Sequence, residues 1–279
     1  MALKTALLAA AAALTAGTAG AAVIDIRDAV VRVTVIPEAR NDVAVEVVRP
    51  NGQLPLRVST LGDRTIIDRG LHHDIRDCSR DGPNARVKVR GVGTVSWDEM
   101  PQIVIRAPRA VAIQSNGAAY GAIGRSSSLD LRNSGCAGWT IADVAGDASI
   151  YESGAGSVRM GAANRLTVRL SGAGQVHATQ VRTSVDAVLS GAGGFKLDQL
   201  AGGALNAQVS GVGQIRVADG RASTMRAQVS GVGGVSFGGA ADSLDAQISG
   251  FGGIKVREVR GPIRKSVSGA GSVTIGDVT

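Results

Sequence analysis

From about residue 148 onward, apolar and polar positions alternate in two short runs that flank a recurring corner, Ser-Gly-x-Gly-x-apolar. The corner occurs at Ser153-Gly154-Ala155-Gly156-Ser157-Val158 and again at Ser171, Ser190, Ser210, Ser230, Ser249 and Ser268. Successive serines are 18, 19, 20, 20, 19 and 19 residues apart. With each serine as position zero, the +5 residues are Val158, Val176, Phe195, Ile215, Val235, Ile254 and Val273. Position +7 is also apolar throughout, and so is position −1 from Leu170 to Val267. These offsets differ by two, the side-chain period of a strand with one buried face, and do not fit 3.6. Each repeat therefore predicts a strand, a glycine corner, a second strand and a second corner. The glycines are expected to supply positive φ at the corner, and the apolar +2 residue is expected to point inward.

One such coil cannot bury its own face, so neighbours must stack. The predicted fold is all-β: a parallel β-helix, right-handed by the crossover rule, with coils of about 19 residues and Ser-Gly-x-Gly corners. Degenerate corners at Arg90-Gly91-Val92-Gly93, Asn116-Gly117 and Ser134-Gly135-Cys136 extend it toward the N-terminus. Residues 86–279 are read as the repeat β-helix. Residues 22–85 are read as an N-terminal β region, forming irregular first coils or a cap, and the charged, non-periodic stretch 61–85 as a loop carrying Cys78.

Residues 1–21 read as a secretory signal peptide: Lys4, an apolar run from Ala6 to Leu14, and Ala19-Gly20-Ala21 as the cleavage signal. Export permits disulfides, and Cys78 and Cys136 are the only cysteines, so they form a candidate bridge. No later apolar run is long enough for a transmembrane helix. With 39 glycines and 7 aromatic residues among 279, the composition suits tight stacking rather than an aromatic core. The formal charge of +7 falls to +6 without Lys4 and implies attraction to anions.

The serial Ser-Gly-Ala/Val-Gly-x-Val/Ile corners, the signal peptide and the preceding β region resemble the bacterial GIN-domain family, described as an auto-transporter adhesin head domain. The resemblance covers most of residues 28–279. It implies a β-helix in an exported protein and brings no catalytic residues. Only Asp277-Val278-Thr279 follow the last corner, so the expectation is a periplasmic or secreted protein rather than one exporting itself through its own barrel.

Three outward or irregular columns are candidate sites. Position +6 carries Arg159, His177, Lys196, Arg216 and Lys255, with Ser236 and Thr274 interspersed. In register they would form a basic stripe, either a site for a linear anionic polymer or a charged face that prevents lateral aggregation. Position −2 carries Gln208, Gln228 and Gln247, a candidate amide ladder, preceded by Arg132 and Arg169. Position −1 breaks its apolar rule at Ser115, Asn133 and Glu152. Buried polar groups need partners, so either a polar pocket opens there or the register slips.

Enzyme readings are weak. Asp130, Asp186 and Asp245 share the −4 column three coils apart, about 14 Å, against the roughly 5–9.5 Å of glycosidase carboxylate pairs. A Gly-x-Ser-x-Gly nucleophile elbow is not expected. The Gly-x-Gly corners never extend to Gly-x-Gly-x-x-Gly, so neither a nucleotide nor another cofactor is expected. His72, His73, Asp74 and Asp77 are not expected to hold a metal, since adjacent histidines of an extended chain face opposite ways. The reading is an exported, non-enzymatic, adhesin-like or cell-envelope binding module for acidic glycans. The alternative is an assembly module forming homo-oligomers through the solenoid ends. A polysaccharide lyase or hydrolase ranks below both.

Overall fold

The structure is a computed structural model, and it describes residues 22–79 and 84–276. It is a β-solenoid built from two main ladders that meet at the glycine corner. The strands before the repeat are β1 (Val23–Glu38), β2 (Ala44–Arg49), β3 (Arg57–Leu61), β4 (Arg64–Asp68), β5 (Ile75–Cys78), β6 (Arg86–Val89), β7 (Gly93–Ser96), β8 (Gln102–Pro108) and β9 (Ala110–Ile123). The repeat follows as β10 (Ser128–Asn133), β11 (Cys136–Ile141), β12 (Asp147–Glu152), β13 (Ser157–Leu170), β14 (Gln175–Leu189) and β15 (Gly194–Leu200). It ends with β16 (Ala204–Val209), β17 (Gln214–Ala222), β18 (Thr224–Val229), β19 (Gly234–Ala241), β20 (Leu244–Ile248), β21 (Gly253–Val259), β22 (Ile263–Val267) and β23 (Ser272–Ile275).

The pairing is parallel and follows the repeat. Before the corner, Leu131, Ile150, Val168, Ala187, Ala207, Ala227, Ala246 and Lys265 pair in succession. After it, Trp139, Val158, Val176, Phe195, Ile215, Val235, Ile254 and Val273 do the same. Apart from the exposed Lys265, these side chains form one continuous core, which thins at the C-terminal end: Ile263 and Val267 are both 45% exposed. A third inward row lies at the second corner, where Ala163, Val181, Leu200, Ala222 and Ala241 are buried. Its variable spacing hides it from a reading based on fixed offsets.

From Gly154 to Gly250 the corner glycines serve close stacking rather than positive φ, whereas Gly269 at the last corner takes φ 135°. None of Gly154, Gly172, Gly191, Gly211, Gly231 or Gly250 has φ in the left-handed region. A Cβ on any of them would overlap the carbonyl oxygen of the glycine one rung earlier. The second glycine of the corner is crowded in the same way and by a side chain as well. A Cβ on Gly233 would overlap Gly213 O and lie 2.6 Å from Val209 Cγ1, and one on Gly213 would overlap Gly193 O and lie 3.1 Å from Leu189 Cδ2. The residue between the two glycines points outward, not inward: Val212 is 61%, Val232 64% and Phe251 73% exposed.

That outward direction also lets Cys136, at the same corner position, reach Cys78. The disulfide ties the solenoid to an antiparallel sheet of order β5-β6-β7. This sheet packs a second core of Val87, Val89, Val95, Met100 and Leu71 onto Val30, Ala118 and Tyr120. Arg90-Gly91-Val92-Gly93 is the turn of the β6–β7 hairpin rather than a solenoid corner. Residues 61–79 likewise include β4 and β5 rather than forming a loop throughout. β1 is already a solenoid rung, pairing with β9 on both sides of the corner, where Asp28 takes φ 47°. β2 folds back antiparallel on β8, and β3 on β4.

Candidate functional site

The ladders hold the cationic residues in one column. Arg159 pairs with His177, His177 with Lys196 and Lys196 with Arg216. Ser236, Lys255 and Thr274 continue the row. Rungs about 4.8 Å apart place Arg159 and Lys255 about 24 Å from each other. Asp198 interrupts the charge: its carboxylate meets His177 Nε2 at 2.8 Å and Lys196 Nζ at 3.0 Å. Burial raises the Asp198 pKa, but hydrogen bonds from Lys196 and His177 outweigh it and leave the carboxyl below its usual range. Arg159, Arg216 and Lys255 have no carboxylate partner among the described residues. The row therefore offers three unneutralised cations and a compensated cluster between them.

Ser236 needs one correction. Gly234-Val235-Ser236-Phe237-Gly238 does spell Gly-x-Ser-x-Gly. It lies mid-strand in β19, in register with Arg216 and Lys255. A nucleophile elbow instead requires a strained strand-to-helix turn.

The −1 column keeps its register across the polar positions. Ile26, Ser115, Asn133, Glu152, Leu170 and Leu189 are successive partners. Ser115, Asn133 and Glu152 are 4%, 3% and 1% exposed. Glu152 Oε2 accepts from Asn133 Nδ2 at 2.7 Å, and Oε1 accepts from the amides of Gly154 at 2.9 Å and Gly156 at 3.3 Å. Asn133 Oδ1 and Ser115 Oγ are buried without a hydrogen-bond partner. Beside them opens a groove of about 630 Å³.

The groove rim is made of ion pairs. Arg27 and Arg64 donate to Asp25 at 2.6 and 2.7 Å. Burial raises the Asp25 pKa, but hydrogen bonds from Arg27 and then Arg64 prevail and hold it below the usual value. Arg132 pairs with Asp130 at 3.1 Å and lies 4.3 Å over the Tyr151 ring. Arg169 pairs with Asp186 at 2.5 Å.

The remaining candidates are simpler. Gln208, Gln228 and Gln247 stack in register, with one amide link of 3.4 Å between Gln228 and Gln247. The hydroxyls of Ser134, Ser153, Ser190 and Ser268 donate to the preceding rung's carbonyls, as Ser153 does to Asn133 O at 3.4 Å. Such lengths make weak bonds. Asp130, Asp186 and Asp245 share one column, with Ser149 and Thr167 between the first two. His72 meets Asp28 at 3.2 Å, and its ring lies edge-on to His73. No cluster able to hold a metal occurs among the described residues. No helix among them is long and apolar enough to cross a membrane.

The in-register ladders, the continuous core and the stacked corners define a β-solenoid with charged outward columns. Residues 177–276 match the family model described as "Putative auto-transporter adhesin, head GIN domain". Two crystal structures share the fold. One is a protein named "putative adhesin" from Parabacteroides distasonis ATCC 8503, at 14% identity and a TM-score of 0.54, with 90% of this chain and 91% of that one covered. The other is a "putative lipid binding protein" from the same organism, at 16% identity and a TM-score of 0.52, with 92% and 93% covered. No curated protein matches significantly.

Proposed function

We propose that this protein is an exported, non-catalytic, adhesin-like module that binds acidic polymers of the cell envelope along the Arg159–Lys255 row. The observation that supports this reading is the register: unneutralised Arg159, Arg216 and Lys255 share one column across about 24 Å. The neighbouring column, Ser157, Gln175, Gly194, Gln214, Gly234 and Gly253, carries no charge. A row of cations beside an uncharged column suits an extended polyanion better than a compact ligand.

The test is binding of the purified protein to polygalacturonate, neutral dextran and vesicles containing phosphatidylglycerol. Saturable, salt-weakened binding to polygalacturonate is expected, with any binding to dextran far weaker and insensitive to salt. The triple variant Lys196→Glu, Arg216→Glu, Lys255→Glu should weaken it more than tenfold, on the order of 1 kcal/mol per charge. Unchanged affinity in that variant would overturn the reading. Binding to the vesicles alone would assign the row to lipid headgroups instead.

A second reading, association of copies through the solenoid end, is favoured by the exposed Ile263 and Val267 on the last described rung. An uncovered apolar edge invites pairing. Sedimentation across a wide concentration range tests it. A strictly monomeric protein excludes it.

A further inference from the structure

We infer that the groove beside Ser115, Asn133 and Glu152 is a second binding site, built for a neutral, hydroxyl-rich sugar ring. The position is one where the repeat demands an apolar residue. The same column carries Leu170, Leu189, Val209 and Val229, all buried. At three successive rungs it carries polar side chains instead, and they are as buried as the leucines. Burying a polar atom without a hydrogen bond costs on the order of 1–3 kcal/mol. Asn133 Oδ1 and Ser115 Oγ are both in that state. The Asn133 orientation follows from its amide donating to Glu152 Oε2, which turns Oδ1 away from the carboxylate. The two residues lie on adjacent rungs and both line the groove, so a ligand hydroxyl group entering between them can satisfy either atom.

The charge of the site selects the class of ligand. Arg27 and Arg64 share the Asp25 carboxylate, Arg132 pairs with Asp130 and Arg169 with Asp186; the fourth carboxyl group, that of Glu152, accepts from Asn133 and two backbone amides. Each arginine is already paired with a carboxylate at 2.5–3.1 Å. No cation is left over for an anionic ligand, in contrast to the Arg159–Lys255 row. Planar ion pairs keep spare donors and acceptors at fixed angles, an arrangement that vicinal hydroxyls can match. Leu170 and Val188 supply apolar wall for the C–H face of a ring. A volume of about 630 Å³ falls in the usual range for small-ligand sites.

The experiment is a titration of the full ¹⁵N-labelled chain with the methyl glycosides of glucose, galactose, mannose and N-acetylglucosamine, and with methyl glucuronide, followed by amide shifts. At least one neutral glycoside should shift the Gly154 and Gly156 amides saturably, with Kd of about 1 mM, the scale of one ring in an open groove. The variant Ser115→Val, Asn133→Leu, Glu152→Leu restores the column's own residue types and should fold. It should weaken the glycoside at least tenfold, whereas Arg216→Glu with Lys255→Glu should leave glycoside binding unchanged. No shift with any glycoside, shifts confined to methyl glucuronide, or shifts that persist in the column variant would overturn the inference. The row variant fails independently, so loss of one site does not count against the other.

Discussion

Replacing Gly231 by alanine tests the stacking argument at a single atom. The added Cβ would overlap Gly211 O and lie 2.7 Å from Ser210 O and 3.0 Å from Gly211 C, all backbone of the preceding rung. No side chain can rotate away, so the rungs themselves must separate. Separation stretches the bonds from Val232 N and Gly233 N to Gly211 O, now 3.1 and 3.2 Å. Overpacking of this kind costs on the order of 1–3 kcal/mol, and two weakened backbone bonds add about 1 kcal/mol each. The expected loss is about 3–5 kcal/mol, a fall in Tm of roughly 6–20 °C for a chain of this size. The control is Gly253→Ala. Gly253 also lacks a left-handed φ, and its nearest Cβ neighbour would be Ser272 O at 3.9 Å. That change should stay within about 0.5 kcal/mol. Thermal unfolding followed by circular dichroism measures both. If Gly231→Ala is as mild as Gly253→Ala, stacking is not the reason for the corner glycine.

Three other outcomes follow from the same geometry. Asp198→Asn removes the carboxylate shared by His177 and Lys196, so affinity for polygalacturonate should rise about two- to fivefold, read by titration calorimetry. Cys78→Ala with Cys136→Ala opens a loop of 58 residues, costing about 4 kcal/mol in the chain-entropy model, and limited proteolysis should then cut first in 69–96. Burial pushes the Tyr120 phenol up to about 12. Because the folded pKa lies above the unfolded value near 10, its contribution to stability is complete below pH 10 and lost as pH rises toward 12. Its ultraviolet titration should therefore appear near pH 12 or together with unfolding, and titration near pH 10 in the folded protein would contradict the burial.

Much of the architecture was legible because a strand repeat fixes register directly. The period-two columns at −1, +5 and +7 predict the two ladders, and the polar interruption at Ser115, Asn133 and Glu152 keeps its place in the observed register. Other features needed three dimensions. The outward turn of Val212, Val232 and Phe251 depends on corner geometry that an apolar letter does not encode. The glycines were expected for φ, whereas their crowding comes from the rung before, about 19 residues away in sequence. β1 was obscured as a rung because Arg27-Asp28 stands opposite the single residue Asn116 and Ala29 opposite the corner Gly117. The Asp198 cluster requires side chains from two rungs to converge, which no single repeat displays.

The central claim, that the Arg159–Lys255 row is a polyanion site, is tested most directly by the salt dependence of polygalacturonate binding. Three unneutralised cations predict a slope of log K against log salt between about −2 and −3, by counterion release. The slope should steepen by about one unit in Asp198→Asn and collapse toward zero in the Lys196→Glu, Arg216→Glu, Lys255→Glu variant. A slope that is the same in all three proteins would contradict the account.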